Sequence, residues 1–211
     1  MAYHASSMEF AGLELSFDDR VLRPRLWTIA QSTWAAELLQ DAPPGPVLEL
    51  FAGVGHIGLA ALAGSGRHLV MVDLNPVACE FARGNIDAAG AGSRAEIREG
   101  RIDEVLDAEE TFALVIADPP WVPTSGVEQF PDDPTIAIDG GEDGLDLARV
   151  CCDVIDRHLH ANGSAILQLG STDQADQLQH HLTDVLGSGL RVVETRAFER
   201  GVLVRLSRRG G

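Results

Sequence analysis

Lysine is absent from this chain of 211 residues: the 16 basic side chains are all arginine, set against 32 carboxylates. The resulting formal charge of −16 opposes long-range attraction to a phosphate backbone, so unaided binding of long nucleic acid is disfavoured. Cysteine is scarce. Cys79 and the adjacent Cys151 and Cys152 make neither a disulfide framework nor a C-x-x-C pair, which suits a reducing compartment. There is no H-E-x-x-H; His158 with His160, and His180 with His181, read as helix-end residues, and no metal is expected. No apolar run approaches the length of a membrane span, and Met1 to Asp19 lacks the basic start and continuous apolar stretch of a signal peptide. A cytoplasmic protein with no membrane partner is expected. Internal repeats and low-complexity tracts are also missing.

What the chain does have is a hydrophobic fraction of 45%, which excludes a disordered chain, and enough length for one sizeable α/β domain. After the break at Pro43-Pro44-Gly45-Pro46, buried strands are predicted at Val47 to Phe51, His68 to Asp73, Ala95 to Arg98, Phe112 to Asp118 and Ser164 to Leu169. Helices are predicted at His56 to Ala63, Pro76 to Ala89, Leu145 to His158 and Asp173 to Leu186. Leu190 to Ala197 and Val202 to Leu206 close the chain as two strands around a Glu199-Arg200-Gly201 turn. Alternating strands and helices imply a Rossmann-like, seven-stranded, mainly parallel sheet with an antiparallel C-terminal edge strand and helices on both faces. Residues 1–45 read as a lead-in, with a hairpin near Phe10 to Leu22 and a helix from Thr28 to Leu39, and residues 46–211 as the main domain. Arg20, Arg23 and Arg25 offer a local basic rim. Arg200, Arg205, Arg208 and Arg209 could form a second such rim, but are read by preference as scattered solvated arginines and a frayed tail.

Two stretches carry chemistry. Asp118-Pro119-Pro120-Trp121 ends an apolar strand abruptly, because each proline fixes φ and lacks an amide donor, and the residue before a proline is held extended. A carboxylate and a proline carbonyl at a rigid strand end, beside a flat indole, can take the protons of an NH2 group and aim its lone pair at a methyl group. Glu49-Leu50-Phe51-Ala52-Gly53-Val54-Gly55-His56-Ile57-Gly58 contains G-x-G-x-x-G, which lets backbone amides approach a ligand closely. That pattern also fits a nicotinamide enzyme, and Asp73 at the second strand end would grip ribose hydroxyls of either cofactor. Glu49 inside the first strand needs a partner such as the ammonium of a methionine moiety or a backbone amide, and Asp-Pro-Pro-Trp has no obvious task in hydride transfer; both favour S-adenosylmethionine.

Val47 to Gly55 resembles motif I of class I S-adenosylmethionine-dependent methyltransferases, with Phe51 in place of a common glycine. More narrowly, the chain resembles the HemK/PrmC glutamine methyltransferases of peptide-chain release factors over about residues 10–207. Phe17 to Arg25, Asp118 to Trp121 and Asp139-Gly140-Gly141-Glu142-Asp143-Gly144-Leu145-Asp146 carry that likeness. The resemblance implies that Phe51, Ala52, Gly53, Val54 and Gly55 cradle the methionine end of the cofactor, Glu49 anchors it and Asp73 takes the ribose. It places Arg101 and Ile102 at the adenine, and Asp118, Pro119, Pro120 and Trp121 around the acceptor nitrogen, with Asp118 touching both cofactor and acceptor. The family has Asn-Pro-Pro-Tyr, whose amide both donates and accepts; an ionised Asp118 only accepts. Asp-Pro-Pro-aromatic looks more like methyltransferases of adenine or guanine amino groups, with Trp121 stacking on the base. The acceptors that remain open are a protein side-chain amide such as glutamine, a nucleobase amine in RNA or DNA, and a small molecule. A catalytically silent cofactor-binding subunit is a further alternative, because Phe51 and Asp118 are substitutions at sensitive positions.

Overall fold

In the computed structural model, residues 5–187 and 189–208 are described; Arg209 lies outside them. The chain opens with a hairpin of β1 (Ser6–Phe10) and β2 (Leu13–Phe17). Ala11 and Gly12 both take positive φ (49° and 83°), the conformation a two-residue hairpin turn requires. The expected hairpin is present but ends earlier. Asp18 ends β2 in a turn, its carboxylate accepting from the Arg20 amide at 2.9 Å and its carbonyl from the Val21 amide at 3.2 Å, and residues 22–25 run on without regular structure. A 3₁₀ turn, Leu26–Thr28, leads into α1 (Ile29–Leu39), which buries Trp34 and Ala35.

The remaining strands form one seven-stranded sheet: β3 (Val47–Leu50), β4 (Leu69–Asp73), β5 (Ala95–Glu99), β6 (Phe112–Ala117), β7 (Leu159–Leu169), β8 (Leu190–Phe198) and β9 (Gly201–Arg208). The order is β5-β4-β3-β6-β7-β9-β8. The pairs β3–β4, β4–β5, β3–β6 and β6–β7 are parallel, and β9 is antiparallel to both its neighbours. The C-terminal strand therefore enters between β7 and β8, leaving β8 at the rim. β7 starts five residues before its expected beginning, because Leu159 still pairs with Phe112 while Leu114 pairs with Ser164 and the intervening residues bulge out.

The helices α2 (His56–Ala61), α3 (Pro76–Ala88), α4 (Asp146–His158) and α5 (Thr172–His180) fill the crossovers. Asn75 caps α3 by accepting from the Val77 amide at 2.9 Å, with Pro76 in its first turn. The helix expected to Leu186 changes its bonding at His181–Val185, where a π-helical segment follows α5. His158 and His180 do end α4 and α5. Side-chain alternation along β3 sends Leu48 and Leu50 into the core cluster that includes α4 and α5, and Val47 into the one that includes α1 and α2. No helix among the described residues is long and apolar enough to cross a membrane.

What positions the site is the reversal of strand order between β3 and β6. Leu50 and Ala117 are register partners, so the chain leaves the sheet at Phe51 and at Asp118 side by side.

Candidate active site

The turn after β3 is tight. Phe51 sits at φ 57°, a left-handed conformation that costs a side-chain-bearing residue about 1–2 kcal/mol and explains why glycine is common there. Its ring lines a cavity and packs against the core. Asp73, at the end of β4, ties this turn down: one carboxylate oxygen accepts from the Gly53 amide at 2.6 Å, the other from the Asn75 amide at 2.8 Å. Burial raises its pKa despite those bonds.

Glu49 is 1% exposed, and neither carboxylate oxygen has a partner of ordinary hydrogen-bond geometry among the described residues. Burial pushes its pKa to about 8; the nearby Gly58 amide opposes the shift, and the charges of Asp118 and Asp73 add to it. A Cβ at Gly58 would collide with Oε2 of Glu49. The last glycine of the motif thus lets α2 pass over a buried acid.

Opposite lies the end of β6. Gln31 of α1 donates from Nε2 to the Ala117 carbonyl at 2.9 Å, which occupies that oxygen and steadies the strand end. The Asp118 carboxyl has no hydrogen-bond partner among the described residues, and desolvation lifts its pKa to about 7. Pro119 and Pro120 are buried, Trp121 half-buried. The Asp139–Gly144 stretch clamps the loop beyond them. Val122 bridges Asp139, donating to Ile138 O and accepting from Gly140 N; Thr124 donates its hydroxyl to Asp139 at 2.7 Å. Gln174 of α5 donates to the carbonyls of Trp121 (3.1 Å) and Asp143 (3.0 Å) and accepts from the Gly170 amide (2.7 Å). A Cβ at Gly170 would stand 2.5 Å from Cε3 of Trp121.

These walls enclose a cavity of about 1020 Å³. Of the residues anticipated from sequence, Phe51, Gly53, Asp73, Asp118, Pro119, Pro120 and Trp121 line it. Glu49, Ala52, Val54 and Gly55 are buried behind the wall. Arg101 and Ile102 are not on it. Arg101 projects outward, paired with Asp103 and Glu104, and Ile102 belongs to the core. The structure adds residues that sequence reasoning did not single out: Trp27, His56, Leu74, Phe130, Ile136 and, from the β8–β9 turn, Arg200. Arg200, which the sequence offered as part of a second basic rim or, by preference, as a solvated arginine, lines the cavity. Two apolar residues, Phe130 and Ile136, in a loop rich in proline and aspartate were the available signal. His56 stacks edge-on against Phe10 with ring centroids 5.0 Å apart, and burial depresses its pKa to about 4. A second, more open depression of about 880 Å³ lies at the opposite end of the sheet, around Pro44, Arg67 and Phe112.

Proteins similar to this chain in sequence or fold include methyltransferases. The release factor glutamine methyltransferase of Geobacter sulfurreducens is 32% identical over 178 residues, covering 81% of this chain and 60% of that protein. The ribosomal protein uL3 glutamine methyltransferase of Francisella tularensis is 27% identical over 173 residues, 79% of this chain and 55% of the other. The chain thus spans less than two thirds of the length of these two relatives. Among solved structures, the Pyrococcus abyssi tRNA (uracil-54, C5)-methyltransferase in complex with S-adenosyl-L-homocysteine superposes with a TM-score of 0.64. It is 16% identical, with 98% of this chain and 45% of that one covered, so the likeness is one of fold. The family described as "conserved hypothetical protein 95" matches residues 9–130, more than half of the sequence, and the chain belongs to that family.

Proposed function

We propose that the chain is an S-adenosylmethionine-dependent N-methyltransferase whose acceptor is a planar primary amide, such as a glutamine side chain in a protein. The observation that carries this reading is the register of Leu50 with Ala117, which sets the glycine turn and Asp118-Pro119-Pro120-Trp121 on one cavity wall. The residues fit the cofactor. Phe51 and Gly53 bring the glycine turn to the cavity, Asp73 lines it and keeps free lone pairs beyond the two amides it already holds, and Glu49, a buried acid with both oxygens short of a partner, lies behind the turn. When bound, S-adenosylmethionine supplies a methyl group on a positively charged sulfur, already a good leaving group.

Everything else falls to the chain. The Ala117 carbonyl is taken by Gln31, whereas the carbonyls of Asp118 and Pro119 accept no bond among the described residues and are available to an acceptor N–H. Asp118 then decides the acceptor's identity. With its pKa near 7, a protonated Asp118 donates one hydrogen bond and accepts another, matching the C=O and N–H of an amide as an asparagine would. Holding the nitrogen in line near the methyl carbon supplies several kcal/mol of the barrier.

A second reading, a nucleobase amine, rests on the same side chain in its ionised form, which only accepts, together with Trp121 as a stacking surface. The two differ in sign with pH. For an amide acceptor, kcat/KM falls as pH rises through about 7 and Asp118→Asn keeps it flat; for an amine acceptor it rises instead. Transfer of labelled methyl from S-adenosylmethionine to the protein or the RNA fraction of a cell extract tests the acceptor class directly. Residues 46–211 are the catalytic domain in this reading and residues 1–45 its lead-in, which lends Arg23 and Trp27 to the cavity wall. Three free, buried cysteines fit a cytoplasmic setting.

A further inference from the structure

Most of the cavity is explained by cofactor and acceptor nitrogen, but its mouth is not. Arg23, from the lead-in, and Arg200, from the turn between β8 and β9, are both exposed and both line it. Some arginines are paired with carboxylates, Arg25 with Asp133 on the same cavity wall, Arg98 with Glu96 and Glu110, and Arg149 with Asp143 and Asp146, whereas others, such as Arg67, Arg94 and Arg157, bond only neutral groups. Neither Arg23 nor Arg200 forms an ion pair among the described residues. Arg23 sits 5.8 Å from the centroid of the Phe17 ring, which holds the guanidinium without cancelling its charge. The same cavity wall carries large apolar side chains open to solvent: Leu74 at 52% exposure, Phe130 at 37% and Ile136 at 68%. An exposed apolar patch on the wall of a ligand cavity, beside two guanidinium groups that no carboxylate contacts directly, has the make-up of a docking surface.

Charge decides its occupant. On a chain of net charge −16 a polyanion gains two guanidinium contacts against repulsion from the rest of the surface, and its sugar-phosphate strand has little use for Leu74, Phe130 and Ile136. A peptide with a single carboxylate and an apolar side chain matches both features at small electrostatic cost. We infer that the cavity mouth docks a peptide segment carrying a carboxylate beside an apolar side chain, gripped by Arg23 and Arg200 and seated on Leu74, Phe130 and Ile136. This rests on the proposed amide acceptor and specifies what flanks it.

The test uses the full chain loaded with S-adenosylhomocysteine and titrated calorimetrically with three synthetic peptides. Each has a central glutamine and a leucine, and they differ at one flanking position: glutamate, glutamine or lysine. The glutamate peptide binds about tenfold more tightly than the glutamine one, with the lysine peptide weakest. In the Arg23→Gln/Arg200→Gln double variant that difference disappears while affinity for S-adenosylhomocysteine is unchanged. Equal affinities, no binding of any peptide, a preference that survives in the double variant, or a single-stranded RNA oligonucleotide binding more tightly than the acidic peptide would each overturn the inference. Peptide preference without methyl transfer to any of the three would reject the amide-acceptor reading and leave the docking site standing; transfer without the preference would do the reverse.

Discussion

In the proposed reaction Asp118 carries the chemistry, because among the described residues it is the one acid on the cavity wall whose side chain meets no hydrogen-bond partner and whose pKa desolvation lifts to about 7. Replacing it with alanine is expected to abolish methyl transfer, measured with labelled cofactor, while affinity for S-adenosylhomocysteine stays within a few fold; normal turnover would remove Asp118 from the acceptor site. Asp73→Ala is expected to act in the opposite order, weakening cofactor binding first, because it also frees the Gly53 amide that shapes the turn. Gly58→Ala tests the buried acid: the added methyl meets Oε2 of Glu49, so the fold loses about 1–3 kcal/mol, read as a lowered Tm. At this scale much was legible, since a carboxylate before two prolines and glycines after a strand announce themselves. The protonation state of Asp118 was not, because desolvation depends on what surrounds a side chain in space. Arg101 and Ile102 were assigned by resemblance, and a salt bridge and the core hold them elsewhere.

Among the elements, the Asp139–Gly144 stretch illustrates a motif whose meaning only packing reveals. In sequence it was a family mark; in the fold it is a clamp that fixes the loop after Trp121 through Val122, Thr124 and the shared hydrogen-bonding hub at Gln174. Gln174→Leu leaves the Trp121 and Asp143 carbonyls without their donor. We expect turnover to fall about tenfold or more, with S-adenosylhomocysteine affinity unchanged, because the platform for the acceptor shifts while the glycine turn does not. Gly170→Ala should do the same by pressing on the indole; a variant of either kind that turns over normally would show that Trp121 needs no such support. Strands β3, β4 and β6 were readable from apolar runs closed by glycine or proline. The early start of β7 and the π-helical end of α5 were not, since a bulge and a change of helical bonding are set by neighbours and not by local periodicity. The cavity mouth assembles residues from the lead-in, the loops after β4 and β6, and the β8–β9 turn, too far apart in sequence to be grouped.

For the molecule as a whole, one buried and one half-buried acid make stability depend on pH. Glu49 and Asp118 have folded-state pKa values of about 8 and about 7, above their ordinary values of 4.5 and 3.8. The folded state therefore holds protons the unfolded chain has already lost. Stability from these groups is fully present below about pH 4 and declines as pH rises towards 8, where both become charged. Glu49→Gln removes part of that decline, and thermal unfolding should show a gain of roughly 2–4 kcal/mol at pH 8 and little at pH 4. A variant no more stable than the parent at pH 8 would mean that Glu49 has a cationic or amide partner in the free protein.

The most direct test of the account is a crystal structure of the chain with S-adenosylhomocysteine. The ligand is expected in the cavity of about 1020 Å³, its ribose at Asp73 and its sulfur facing Asp118 across the turn at Phe51. Density at the far end of the sheet, around Pro44 and Phe112, or no density after soaking at saturating concentration, would contradict it.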